Sequence, residues 1–329
     1  MRGLLHSLPA LFLSTLPAAA ALAGESKVEV LPIETAQRVN IRVDGQPFTS
    51  YRWEPKLAKP VLFPILTSTG KAITRGWPLE ERPDEAKDHP HHFGLWFNYG
   101  DVDDVDFWGN STGVRGAPPS GKHGSIVHKK IETAKSGSGQ GELAVVSDWV
   151  MPDGRVALVE KTRFVFAAGR GRRAIDRVAT LTAGAAPVKF PDNKEGMLAL
   201  RLARQLEHPG RKNPGGTGEY LSSEGKRGDD VWGTRARWLM LNGKLDGQPV
   251  TIAILDHPKN PGHPTYWHAR GYGLFAANPL GQKALSKGAQ ELNFSLPAGK
   301  SARFAYRVLI LDKIATPGEL EIEYQRFAR

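Results

Sequence analysis

Short runs of alternating or β-branched residues, each closed by a turn, recur along the chain and confine it to sheet structure. They lie at Lys27 to Ile33, Val39 to Val43, Leu143 to Val150, Lys161 to Val165 and Ala174 to Leu181. Further runs follow at Arg235 to Leu241, Val250 to Leu255, Leu292 to Leu296 and Ala302 to Leu311. A period of two puts one set of side chains on each face of a strand, so each run can bury one face and solvate the other. With 36 Gly and 24 Pro as punctuation, the spacing predicts an all-β fold, a large antiparallel β-sandwich. Turn dipeptides in MPDGR (151–155), LNGKLDGQPV (241–250) and LPAGKSARF (296–304) predict hairpins between sequence neighbours. Gly169 and Gly171, alternating with Arg170, Arg172 and Arg173, predict another. A short C-terminal helix is expected where Thr316 can cap, Pro317 can open the first turn and Glu319 can close a capping box.

The first residues, MRGLLHSLPALFLSTLPAAAALAGESK, carry one Arg, an apolar run and the small-residue pattern Ala21-Leu22-Ala23. This predicts a signal peptide at 1–23 and one β-sandwich domain at 24–329, exported to the periplasm or secreted. No later stretch is apolar enough to span a membrane as a helix. The absence of cysteine excludes disulfides, thiolate metal sites and iron–sulfur clusters. The net charge of +10 is spread along the chain, and with export expected, nucleic acid is a poor partner. The 211–230 stretch, polar and rich in Gly, is expected to be a functional loop of the lid type.

Two histidine clusters carry the candidate chemistry. KDHPHHFGLWFNYGDVDDVDFW (87–108) holds His89, His91 and His92, and DHPKNPGHPTYWHARGYGLFAANPLG (256–281) holds His257, His263 and His268. Six of the nine histidines beyond residue 23 thus lie in two short runs. Pro90 biases His89 toward extended backbone, so an extended strand would put His89 and His91 on one side and His92 on the other. Such a pair suits one metal ion or an acid/base pair equally. Trp96, Trp108 and Trp267 accompany the clusters and are expected to form a substrate-stacking wall of the kind sugars use. Between the clusters, FPDNKEGMLALRLAR (190–204) contributes Glu195 as a candidate proton acceptor, with Lys194 or Arg201 to stabilise an oxyanion. The alternation of Asp101, Asp103 and Asp106 lacks the spacing and terminal Glu of a calcium loop. There is no phosphate-binding glycine loop, no His-Glu-x-x-His and no Gly-x-Ser-x-Gly.

DHPHHFGLWFNYGDVDDVDFW, KEGMLALRLA and the 256–281 run, in that order, resemble the signature blocks of an exported bacterial family named methane oxygenase PmoA-like. The resemblance spans about residues 30–312, and Asp101-Val102-Asp103-Asp104 departs from the family's Asp-Val-Asn-Gly. It implies a galactose-mutarotase-like supersandwich acting on carbohydrate or a sugar-derived small molecule. It also implies functional positions at His89, His91, His92, Lys194, Glu195, Arg201, His257, His268 and Arg270, the last through the resemblance alone. The leading expectation is an exported carbohydrate-active enzyme of epimerase, lyase or hydrolase type. The family name implies instead a copper- or iron-dependent oxidase or oxygenase, and a glycan-binding protein without catalysis is the third reading. One divalent metal ion is the candidate cofactor, with His89, His91, His257 and His268 as its candidate ligands.

Overall fold

The computed structural model describes residues 25–111 and 123–329, so the expected leader peptide at 1–23 lies outside the described residues. Among the described residues the chain is built on a nine-stranded and an eight-stranded sheet, with a two-stranded ribbon of Val188–Phe190 and Phe294–Leu296. The pairings within these sheets are antiparallel, and most join sequence neighbours. The all-β class read from the alternation is therefore what forms. The Asp246-Gly247 turn, with φ of 48° and 76°, joins Trp238–Leu245 to Gln248–Asp256. Gly171 turns Val156–Gly169 into Arg172–Ala183. The arginines around that turn serve the scaffold: Arg173 donates to Pro47 O and Leu66 O, and Arg172 pairs with Glu323.

The apolar core lies between the two large sheets. Phe48, Leu62, Leu95 and Phe97 from the first meet Leu143, Trp149, Phe164, Phe166 and Phe304 from the second. Burying one large apolar side chain stabilises the fold by about 1.5–3 kcal/mol, so this layer supplies most of the driving force. On its outer face the second sheet is covered by the helix Pro317–Phe327, whose Leu320 and Tyr324 pack on Trp238, Met240, Leu255 and Leu309. That helix has the expected capping box: Thr316 Oγ1 accepts from Glu319 N, and Glu319 Oε2 accepts from Thr316 N at 2.8 Å. No helix among the described residues is long and apolar enough to cross a membrane.

The outer face of the first sheet positions the site. Its strands Leu95–Tyr99, Gly196–Arg201, Leu274–Asn278 and Tyr266–Arg270 are neighbours. Alternation sends Phe97, Leu200, Phe275 and Trp267 into the core, and Trp96, Ala199, Ala276 and His268 outward. Those four outward residues stand in one cross-strand row, Trp96 and His268 at its ends and two alanines between. Three strand spacings of about 4.8 Å separate the ends by about 14 Å. The small alanines leave room above the sheet for the Trp108 ring, which packs with them and Trp96.

Candidate functional site

The first histidine run does not continue a strand. His89 has φ of +44°, and His92 N donates back to His89 O at 2.9 Å, closing a turn. The alternation expected of an extended segment is thereby lost: the three rings converge on one side, with centroids 4.9 Å (His89–His92), 4.3 Å (His91–His92) and 5.8 Å (His89–His91) apart.

Arg75, buried behind this turn, holds its shape. Its guanidinium donates to Ala86 O, Asp88 O, His89 O and His92 O at 2.8–3.1 Å, and to Asp88 Oδ1 at 2.6 Å. Arg201 donates to the same carboxylate oxygen at 2.9 Å. Burial pushes Asp88 up, but the His89 hydrogen bond and the charges of Arg201 and Arg75 outweigh it and hold the carboxyl well below its usual range.

Four imidazoles receive different assignments from their partners. His89 Nδ1–H donates to Asp88 Oδ2 at 2.8 Å, which fixes the orientation of the ring. The ring stacks on Tyr272 at 5.4 Å. His92 accepts the Trp108 indole N–H on Nε2 at 3.1 Å, so its proton sits on Nδ1; it positions a tryptophan and has no nitrogen free to accept a proton. His91 makes no hydrogen bond among the described residues; burial, then the charges of Lys59, His89, Arg75 and His123, pushes it down to about 3. His268, from the facing wall, donates Nδ1–H to Lys194 O at 2.8 Å and lies 3.6 Å from Glu195 Oε2. Burial pulls His268 below its ordinary value although Glu195 and the Lys194 carbonyl oppose it.

Glu195 sits on the tight turn entering Gly196–Arg201, its other oxygen in contact with the Lys194 ammonium. A side chain at Gly196 would meet the Tyr99 ring at 2.4 Å, so glycine is required to bring Glu195 this close to the sheet. Trp108 closes the space over the alanines, 6.5 Å from the His268 ring and nearly parallel to it. Asp106 holds it there by accepting from Trp108 N and Gly109 N at 2.7 and 2.9 Å. The cleft so formed encloses about 630 Å³. A second cavity, lined by Trp53, Glu54 and His128 among others, is larger at about 810 Å³, but it lacks the carboxylate–imidazole convergence that singles out the first.

His89, His91, His92, Trp108, Lys194, Glu195, His268 and Arg270 all line this cleft. Four expected residues do not. Arg201 and Trp96 are 0% exposed and lie beneath the lining, Arg201 against the Tyr272 ring and Trp96 against His92. Trp267 is corrected from stacking wall to core: it is one residue out of phase with His268, faces between the sheets and donates to Ala236 O. His257 is corrected as well, since it packs edge-on against Phe327 of the C-terminal helix, and His263 beside it pairs with buried Asp256. The proposed ligand set of His89, His91, His257 and His268 is therefore not assembled. Among the described residues no group of three His, Asp or Glu side chains has the geometry to hold a metal ion.

Sequence reasoning missed Arg75, Asp88, Glu207 and Tyr272. Glu207 lines the cleft, is raised by burial and receives Asn213 Nδ2 at 3.1 Å. One signal was present: acid-His-Pro occurs at 88–90, 207–209 and 256–258, and the first two copies meet in the cleft. Of the 211–230 stretch, Arg211, Lys212, Asn213 and Asp229 line the cleft.

Solved structures of similar outline include the GH36 alpha-galactosidase AgaB from Geobacillus stearothermophilus, 11% identical, covering 86% of this chain and 41% of that one at TM-score 0.43. A putative aldose 1-epimerase from Klebsiella pneumoniae is 9% identical, with 89% and 84% covered at TM-score 0.42. A galactose mutarotase-like protein from Clostridium acetobutylicum is 9% identical, with 88% and 99% covered at TM-score 0.39. The chain spans about two fifths of the length of the galactosidases it matches. At these scores the fold class rests on the two sheets themselves. No curated protein matches the chain. The resemblance to a methane oxygenase PmoA-like family is corrected by the family model, which is a different one, and no match points to that oxygenase family. The matched residues are 38–325, and the chain belongs to the family of unknown function DUF6807.

Proposed function

We propose that the chain is a carbohydrate-active enzyme whose cleft moves protons on a sugar ring. The observation that carries this reading is the convergence of His91, His89 and His268 with Glu195 around one cleft of about 630 Å³. That volume lies in the range of small-molecule sites. Trp108 and Tyr272 add aromatic surface to the lining for the apolar side of a pyranose, and carboxylate, imidazole and ammonium groups supply polar partners for its hydroxyls. A general base must be unprotonated and within reach of the proton it takes. His91, kept neutral by burial and by neighbouring cations, meets the first condition across the physiological range; the same low value makes it a weak base that returns its proton readily. Glu195, braced by Lys194 and His268, supplies the second proton-transfer group from the opposite wall. Epimerisation, elimination and hydrolysis all need such a pair. On this reading the leader directs the enzyme out of the cytoplasm, which cell fractionation checks.

The test is ¹H NMR in D₂O of mono- and oligosaccharides incubated with the protein. Deuterium at a ring carbon marks C–H abstraction, an unsaturated product marks elimination, and new reducing ends mark hydrolysis. His91→Ala is expected to lower turnover by about 10²–10⁴-fold, the usual worth of a positioned acid or base, with an unchanged melting curve. Wild-type turnover in that variant, or no turnover of any sugar by the parent, would refute the proposal.

A further inference from the structure

The charges of the cleft are not balanced. Four cations, Lys194, Arg211, Lys212 and Arg270, line it against three carboxylates. Glu195 is taken up by Lys194 and His268, while Glu207 accepts from Asn213 and Asp229 from Gly271 N–H at 3.0 Å. The rim cations are free. Arg211, Lys212 and Arg270 have no acidic partner among the described residues, and the Arg270 guanidinium lies 4.3 Å from the Trp232 ring centre.

The excess extends beneath the lining. Arg75 and Arg201 share one oxygen of Asp88, so two buried guanidiniums face one carboxylate. Arg201, 0% exposed, has Nε and Nη1 without a hydrogen-bond partner. Buried donors are normally satisfied, and low-dielectric walls concentrate the field of such charges in the cleft between them. The nearest imidazoles, His91 and His92, are themselves depressed in part by these cations.

We infer that the substrate is an acidic glycan, bearing a carboxylate or sulfate that Arg211, Lys212 and Arg270 receive at the cleft mouth. The inference rests on the carbohydrate reading above and specifies it. Arginine matches both anions with paired N–H donors, and a lysine beside it adds a point charge. A neutral sugar would leave the excess of cations over carboxylates in the lining unanswered.

The experiment is a glycan array carrying neutral, uronate-bearing and sulfated members, probed with the mature protein at low and high salt. Acidic members are expected to dominate the bound set, and salt to weaken them. Arg211→Glu/Lys212→Glu is expected to weaken acidic binding by about tenfold or more, equivalent to about 1.4 kcal/mol. Arg38→Glu/Arg42→Glu makes the same change of net charge on exposed positions near the far edge of the first sheet, and is expected to change binding less than twofold by comparison. Equal losses in both pairs, or none in the first, would overturn the inference by showing that total charge or another surface does the binding. A bound set dominated by neutral glycans overturns the acidic class and leaves the carbohydrate reading standing. Silence on the array together with no turnover by NMR removes both. Uronate-selective and sulfate-selective signals identify the anion.

Discussion

At the scale of the residue, the least expected group is Lys59. It is 1% exposed, its ammonium bonded to Asn110 O and Oδ1 at 3.1 and 2.9 Å and lying 4.7 Å from the Phe93 ring centre. Burial pushes it down to about 7, with Asp106 opposing. An unfolded lysine keeps its proton to about pH 10.4. Between those limits the unfolded chain holds a proton that the folded chain has released, so stability climbs with pH across the window. Lys59→Met removes this climb. The wild type should gain on the order of a few kcal/mol relative to the variant between about pH 6.5 and pH 9.5, read from urea midpoints. A constant difference would show that Lys59 does not titrate there. The site residues were legible for the same reason that Lys59 was not: histidine and tryptophan clusters stand out in composition, whereas one lysine among many gives no sign that it is buried. Arg75 was equally silent, because its importance comes from the carbonyls and the carboxylate it gathers.

At the scale of the element, Thr316→Ala isolates the C-terminal cap. Losing the Thr316–Glu319 exchange should cost about 1 kcal/mol, measured by denaturant unfolding, while leaving activity unchanged because the helix covers the opposite sheet. A loss above about 3 kcal/mol would mean that the helix does more than cap a face. The start of the helix was legible to the residue, since a cap is a local signal. Strands with one wet face, such as Arg38–Val43, were legible too. The strands that build the site were not. LWFNY, GMLALR and LFAAN are buried on both faces, and a continuous apolar run carries no period that separates strand from buried helix. Their invisibility also hid the phase relation that sends His268 outward and Trp267 inward.

At the scale of the whole molecule, several buried histidines set the response to acid. His91 is pushed down to about 3 and His128 to about 4 by burial, and His92 and His268 are lowered by the same cause. An unfolded imidazole takes up its proton near pH 6.5. Below that value the unfolded chain binds protons the folded chain refuses, so stability falls as pH drops from about 6.5 toward 3. His128→Gln, remote from the cleft, should make the fall shallower in a series of denaturant midpoints. An unchanged slope would show that this histidine titrates alike in both states.

The guanidinium of Arg75 has a consequence of another kind. By fastening four carbonyls of the histidine turn from behind, it leaves the turn little freedom for a ligand to remove. Capture by such a surface needs no folding step after encounter, and its rate is set by diffusion and orientation. Stopped-flow traces should then be single-exponential, with an observed rate that rises linearly with ligand concentration and shows no plateau. The cleft would behave kinetically as a rigid die: quick to accept a matching shape and unable to mould itself to another.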